Sequence, residues 1–404
     1  MNFVRKAYHR TFNAVMRALI PFFPYREPEL LHSQEEVVDL LNRSGIKSVM
    51  IVTDKGIRGL GLTAQLEETI NKSDIECAVY DGTMPNPTSA NVEAAREMYI
   101  NNNCQALIAF GGGSAMDCAK AVGARIVRPK KSLAKMAGLI KVRRRLPLLI
   151  AIPTTAGTGS ETTVAAVIVD SDTHRKYVIN AFCLIPRYAL IYPEVTAGLP
   201  KHLTATTGMD ALTHAVEAYI GRARTKDTKA AAEESVRLIF ANLEKAYENG
   251  NDLDARRNML HASYLAGTAF TKSYVGYVHA VSHSLSGQYG MAHGHTNAVL
   301  LPLVLRAYGK GAQKPLAELA RAVGLVPKDT CNEDACERII AHIEGMNERM
   351  RIPTKFNCIK REDIPELAKH ADKEANPLYP VPVLWDAKEL EALYYLVYDE
   401  SCDA

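Results

Sequence analysis

QALIAFGGGSAMDCAK, residues 105–120, is the stretch that decides the fold. It opens with an apolar run ending at Phe110, passes through Gly111, Gly112 and Gly113, and continues from Ser114 with helical composition. A strand that turns through glycines into a helix presents unpaired N–H groups at the helix start. Those groups attract an anion, and the missing side chains let it approach the backbone. A dinucleotide's pyrophosphate is such an anion. The spacing is not G-x-G-x-x-G, so a tight structural turn is the competing reading.

The same grammar extends to either side. SVMIVTD (48–54), IECAVYDG (75–82), LLIAIPTT (148–155), VAAVIVD (164–170) and YALIYPE (188–194) are apolar runs that end in polar or glycine residues. Near-continuous apolar strands alternating with helices predict a doubly wound, mostly parallel sheet covered on both faces. Ligands of such sheets bind at the carboxyl ends of the strands. Asp54, Asn86, the glycine loop with Ser114, and Thr154, Thr155 and Thr158 lie there. A carboxylate at the position of Asp54 suits an adenosine ribose and favours NAD over NADP, although Asp is equally ordinary as a helix N-cap. The hydroxyls of PTTAGTGSETT (153–163) suit a phosphate, a ribose or a carboxamide, with helix capping as the alternative.

After Pro200 the β-branched runs disappear. TATTGMDALTHAVEAYI, TKAAAEESVRLIFANLEKAYE, RRNMLHASYLAGTAF and PLAELARAVGL read as amphipathic helices. The expected organisation is an α/β dinucleotide-binding domain over 31–198 and an all-helical metal-binding domain over 199–404. A basic amphipathic extension over 1–30 precedes them. In that extension Val4, Tyr8, Phe12, Val15 and Leu19 fall at helical spacing, and no acidic residue precedes Glu27. A packing helix, a membrane-surface anchor and an organelle transit peptide all fit that pattern. The basic run over 130–145 reads as a solvated connector.

Bulk composition narrows the function classes. At 404 residues two domains are expected, and 47% hydrophobic with 23% charged residues is ordinary for a globular protein. A net charge of +3 implies no acidic partner, and no aromatic–basic surface suggests nucleic acid. Eight cysteines without a CxxC pair suit reduced thiols and a cytoplasmic location. No apolar run approaches the roughly 20 residues of a membrane span.

A second constellation carries chemistry. Asp210 and His214 stand four apart in MDALTHAVEAY and share one helix face. His279 and His283 repeat that spacing, and four of the twelve histidines fall between 279 and 295. A lone histidine is usually structural; an Asp–x3–His pair beside a histidine cluster points to a metal. Nitrogen and carboxylate donors suit Fe2+ or Zn2+ rather than Mg2+ or Ca2+. Beside a nicotinamide, such a cation would act as a Lewis acid on an alcohol or aldehyde oxygen. His283 is then placed to relay the released proton.

YDGTMPNPT, GGGSAMDCAK, AIPTTAGTGSETT, GMDALTHAVEAY and VHAVSHSLSGQYGMAHGHTNAVLLP occur in this order. Together they resemble the iron-containing (group III) alcohol dehydrogenase family. The resemblance implies a dehydroquinate-synthase-like fold, a homodimer or larger assembly, and Asp210, His214, His279 and His293 as metal ligands with His283 a nearby non-ligand. On the cofactor side it carries over to Asp54, Asn86, Gly113, Ser114, Thr154, Thr155, Thr158 and Lys176, with Gly112 and Asp117 of the same loop segment. The chain departs from the family in FTKSYVGYVH, where members more often show F-S-N-A-G-L-G-A-V-H. Lys272, Tyr274 and Tyr277 there replace smaller groups, which together with Phe270 would narrow a substrate pocket. Ala165 stands where some members that handle small diols carry Asn. The expected function is NAD-dependent, metal-dependent hydride transfer with a primary alcohol or aldehyde. A zinc-dependent polyol or glycerol(-phosphate) dehydrogenase of the same fold and a non-catalytic nucleotide- or metal-binding protein are the alternatives.

Overall fold

The structure, a computed structural model, describes residues 1–399. Nine strands occur among the described residues: β1 (Glu29–Leu31), β2 (Ser48–Val52), β3 (Glu76–Tyr80), β4 (Ala106–Gly111), β5 (Gly138–Leu139), β6 (Leu148–Pro153), β7 (Ala165–Val169), β8 (Lys176–Asn180) and β9 (Tyr188–Leu190). Six of them form one parallel sheet in the order β1-β9-β6-β4-β2-β3. Its centre explains the unbroken apolar runs. Met50, Leu107 and Leu149 are in register and pack into one layer, while Ile51, Ile108 and Ile150 pack into the other. With both faces covered, every position must be apolar, and the usual alternation vanishes.

Two expectations are corrected here. VAAVIVD does not join the parallel sheet. Its strand β7 pairs antiparallel with β8 in a separate three-stranded sheet of order β5-β8-β7. The hairpin between them is set by Asp170, whose carboxylate accepts from the backbone of Asp172 and Thr173. Alternate positions of β7 are buried, as one covered face requires. The basic run over 130–145 is not a bare connector either: it holds the short helix Leu133–Met136 and β5, and β5 pairs with β8.

The helices that matter for the site are α1 (Phe3–Leu19), α2 (Gly113–Val127), α3 (Lys201–Ile220), α4 (Leu253–Ser273), α5 (Tyr277–Tyr289), α6 (His293–Tyr308), α7 (Ile364–Ala375) and α8 (Ala387–Val397). From Gly208 to Ile220 every residue of α3 is buried, which makes it the central helix of its unit. No helix among the described residues is long and apolar enough to cross a membrane.

The chain divides into two compact units, Pro24–Gly198 and a second that joins Met1–Phe23 to the chain from Leu199 onward. The extension expected over 1–30 is therefore split. Residues 29–31 supply edge strand β1, and α1 belongs with the helical unit. The Arg5 guanidinium reaches both oxygens of Asp372, Arg10 donates to the carbonyls of Val381 and Pro382, and Asn13 donates to that of Pro377.

Candidate functional site

In the helical unit, α3 places Asp210 and His214 one turn apart and Glu217 a further turn along the same face. His279 lies in the first turn of α5, and His293 is the first residue of α6. A Cβ on Gly294 would lie 2.6 Å from the Thr206 carbonyl oxygen on α3. Only glycine allows the start of α6 to come this close, and the approach carries His293 to Asp210. One donor atom from each of Asp210, His214, His279 and His293 falls within 4.8 Å of all the others. Three imidazole nitrogens and one carboxylate oxygen at this spacing fit a first-row divalent cation that can take a further ligand beyond these four.

The surroundings prepare those donors. Glu217 accepts from the backbone N–H of Gly276 and Val278, at 2.8 Å each, and from Nδ1 of His279 at 2.6 Å. This fixes the His279 tautomer, so that its Nε2 lone pair faces the cluster. Burial pushes the Glu217 carboxyl up to about 7, against three hydrogen bonds that favour its anion. Desolvation, reinforced by the neighbouring histidines, lowers His279, and desolvation takes His293 down to about 4, so both rings are neutral donors near pH 7. Asn297 sits one turn into α6, and its Nδ2 lies 2.7 Å from Asp210 Oδ1, 3.1 Å from His293 Nε2 and 3.3 Å from His279 Nε2. Ser282 Oγ lies 3.3 Å from Nδ1 of His293.

His283 lies one turn beyond His279 but outside the donor set. Its Nδ1 is 2.5 Å from Glu374, which also accepts from the Tyr379 hydroxyl, and its ring stacks on His293 at 4.9 Å. Desolvation opposes the imidazolium, yet the Glu374 carboxylate outweighs it and raises the His283 pKa. Phe270 stacks on the His214 ring with centroids 4.2 Å apart and is half-buried. Tyr277, expected in a substrate pocket, is a core residue instead. It is fully buried against Trp385, and its hydroxyl accepts from the Trp385 N–H and donates to the Trp385 carbonyl. Tyr274 follows α4 with φ 64° and ψ 179°, a region otherwise reserved for glycine, and the family pattern has glycine there.

In the α/β unit, the glycine loop follows β4 and begins α2, with Gly112 as the N-cap. A Cβ on Gly111 would lie 2.6 Å from that of Ala115, so the turn tolerates no side chain there. Ser114 Oγ accepts from the Asn86 N–H at 3.3 Å, and Thr154 N–H donates to the Gly111 carbonyl. Asn86, Gly112, Gly113, Ser114, Thr154, Thr155 and Thr158 thus gather around the carboxyl ends of β4 and β6. Asp54 caps the helix Lys55–Gly59 by accepting from the Ile57 N–H through Oδ1, so the capping alternative holds for that oxygen. Lys176 is exposed at the start of β8, in the three-stranded sheet rather than at a strand end of the parallel one.

Asp117 faces inward. It accepts from the Val167 N–H at 3.0 Å and the Ser160 hydroxyl at 3.2 Å, and burial pushes it up to about 6. Sequence reasoning missed its neighbour Lys120. That fully buried ammonium lies 2.6–3.1 Å from five oxygens: the carbonyl and hydroxyl of Ser160, those of Thr163, and the carbonyl of Ala165. Ala165 thus contributes its backbone to a lock that ties α2 to the threonine-rich loop. Glu217, Asn297 and Lys120 all lie in motifs quoted from the sequence. Glu217 stands seven residues after Asp210, which is a helical signal for the same face.

Comparison with known proteins agrees with this geometry. The description "Iron-containing alcohol dehydrogenase" matches residues 31–193, and "Fe-containing alcohol dehydrogenase family, C-terminal" matches residues 204–398. A 1,3-propanediol dehydrogenase of Klebsiella pneumoniae is 36% identical over 380 residues, 93% of this chain and 97% of that protein. The crystal structure of a 1,3-propanediol oxidoreductase superposes with a TM-score of 0.87 at 35% identity, covering 92% of this chain and 97% of that one. A sulfoacetaldehyde reductase from Bifidobacterium kashiwanohense, crystallised in complex with NAD+, gives a TM-score of 0.82 at 28% identity over 93% and 98% of the two chains. The chain belongs to the iron-containing alcohol dehydrogenase family, and it is an oxidoreductase enzyme.

Replacing Glu217 by Gln tests how far the site depends on its support. Both carboxylate oxygens accept backbone N–H bonds, so one backbone N–H would then face the amide's own NH2. The expected result is a 10- to 100-fold loss in metal affinity, read by chelator competition, with the fold retained. Unchanged affinity would show that Glu217 is only a structural acid.

Proposed function

We propose that this enzyme is an NAD- and Fe2+-dependent alcohol dehydrogenase that interconverts a primary alcohol and its aldehyde. The convergence of Asp210, His214, His279 and His293 on one point carries the reading. A cation held by these four residues would supply Lewis-acid polarisation of the substrate oxygen. The remaining work falls to the chain's own groups. Glu217 and Ser282 orient two of the donor rings, and Phe270 stacks on a third beside the substrate's position. His283, held through Nδ1 by Glu374, takes the alcohol proton at Nε2 and passes it towards solvent, to which its side chain is 42% exposed. In the α/β unit the N–H groups that begin α2 receive the pyrophosphate, with the hydroxyls of Ser114, Thr154, Thr155 and Thr158 around it. The preference for NAD rests on Asp54, whose carboxylate accepts from a ribose diol and repels a 2′-phosphate.

Metal analysis of anaerobically purified protein, paired with a panel of alcohols and aldehydes under NAD and NADP, tests the whole reading. Stoichiometric iron and NADH formation from primary alcohols are expected. Full turnover in metal-free protein would overturn it. Asp54→Gly should move the NADP-to-NAD ratio of kcat/KM upward by at least about tenfold, since a like charge beside the 2′-phosphate is removed. The ratio is the proper readout because the lost side-chain cap, worth only a few tenths of a kcal/mol when Gly replaces Asp, acts alike under either cofactor.

A further inference from the structure

A cavity of about 400 Å3 opens at the end of the parallel sheet opposite the glycine loop. Gln105 stands just before β4, Leu148 begins β6 and Tyr188 begins β9, so its floor is the amino ends of three neighbouring strands. The six residues of β4 separate it from the glycine loop by roughly 17 Å. Three guanidinium groups line it, those of Arg26, Arg145 and Arg187, and among the described residues no Asp or Glu does. Their charges are not cancelled within the fold. Arg26 donates to the carbonyls of Ile185 and Pro186, which hold its guanidinium at the wall without neutralising it. Arg187 lies over the Tyr188 ring at 5.9 Å, and neither it nor Arg145 has an ion pair or a side-chain hydrogen bond among the described residues. In the basic stretch that ends at Arg145, Arg143 and Arg144 donate to the carbonyls of Ile140 and Val127, which leaves Arg145 as its arginine without an acceptor. Burial, then repulsion from Arg187 and Arg145, lowers the Arg26 pKa, while Glu29 works against this from outside the lining. An arginine stays protonated through such a shift. The fold thus holds three like charges around one concavity, at a cost that a counter-charge would remove.

We propose that this cavity is a second, non-catalytic binding site for a small phosphate-bearing polyanion with two or more negative charges. The planar guanidinium fork matches phosphate oxygens, and three forks from separate segments suit more than one phosphate. Gln105 accepts the Lys47 N–H through Oε1, which leaves its amide NH2 as a neutral donor beside them. Ile46, Leu146, Leu148 and the half-buried Tyr188 ring supply an apolar wall for an organic body. The volume falls within the roughly 300–1,000 Å3 of small-molecule pockets, which favours such a ligand over an acidic segment of a second copy. Cys183 also lines the cavity, but burial raises its pKa and keeps it a thiol, so the site is built to bind rather than to react.

The test titrates the full chain by calorimetry with inorganic pyrophosphate and with ADP, without and with saturating NADH, at one ionic strength so that screening is constant. Both probes should bind in the presence of NADH, and Arg145→Gln/Arg187→Gln should weaken each by at least about tenfold, because two charge-assisted contacts are lost. Tighter binding of ADP would assign the apolar wall to a nucleoside; equal binding would assign the site to the phosphates alone. Neither side chain makes a hydrogen bond within the fold, so the melting temperature of the variant should match the parent and certify folding. Four results would overturn the proposal. They are no binding of either probe, binding that persists in the variant, binding that NADH abolishes, or a lower oligomeric mass of the variant by light scattering when the parent binds neither probe. The third would place the anion at the glycine loop, and the last would assign the arginines to a contact between copies.

Discussion

His279→Ala is expected to strip the enzyme of its metal and to lower kcat/KM by about a thousandfold or more. Lewis-acid polarisation contributes several kcal/mol to such a reaction, and each 1.36 kcal/mol is a factor of ten. The substitution removes a donor whose Nε2 faces the cluster and whose Nδ1 is already committed to Glu217. It also leaves a buried carboxylate with two partners instead of three, so a fall in melting temperature should accompany it. His283→Ala is the control that gives the result meaning. That ring is outside the donor set and paired with Glu374, so its loss should leave metal content intact while slowing turnover. Metal content by mass spectrometry separates the two. If His283→Ala loses metal and His293→Ala keeps it, the assignment of ligands is wrong.

That control marks the boundary of what spacing can say. Asp210 and His214 were legible because i, i+4 on one helix is a local relation that any α-helix enforces. His279 and His283 have the same spacing, and both are sensible ligands by that rule. What separates them is tertiary. The start of α6 comes against α3 where Gly294 meets the Thr206 carbonyl, and this brings His293 into the donor set while His283 stays outside it. The sheet shows a similar division. The buried runs of β2, β4 and β6 were readable because a doubly covered sheet admits nothing polar. VAAVIVD looked the same in composition, but its partner is set by the turn at Asp170, and the run joined another sheet. Tyr277 was misplaced for the same reason: only the packing of Trp385 against it reveals a core residue. At the N-terminus the helix itself was legible and its orientation was not. Clamps at Asp372, Pro377 and Val381 lie more than 360 residues away in sequence.

Lys120→Met is expected to cost about 3–5 kcal/mol of stability to the α/β unit and to raise the KM for NAD, although Lys120 touches no ligand position. The reasoning begins from burial. The ammonium is fully enclosed, its pKa is lowered to about 8 by that burial, and it holds its charge through five oxygens and the nearby acids Asp117 and Glu161. Those two acids are themselves buried, and burial raises them to about 6 and about 7. Methionine nearly conserves the volume, so little cavity cost arises. What remains is a set of carbonyl and hydroxyl oxygens without a donor and two acids without a cation, the situation in which breaking a buried pair costs about 3–5 kcal/mol. The denaturant midpoint of the α/β unit's own transition would read that loss. The effect on NAD follows from connectivity. Lys120 stands in α2, whose first turn would receive the pyrophosphate under the proposed function, and its partners Ser160, Thr163 and Ala165 follow directly on the loop that carries Thr154, Thr155 and Thr158. Without the lock, the two halves of the nucleotide cradle lose their mutual register, and KM should rise more than kcat falls. A variant with unchanged stability and unchanged KM for NAD would show that the oxygens around Lys120 find other donors, and the lock would then be no part of the site.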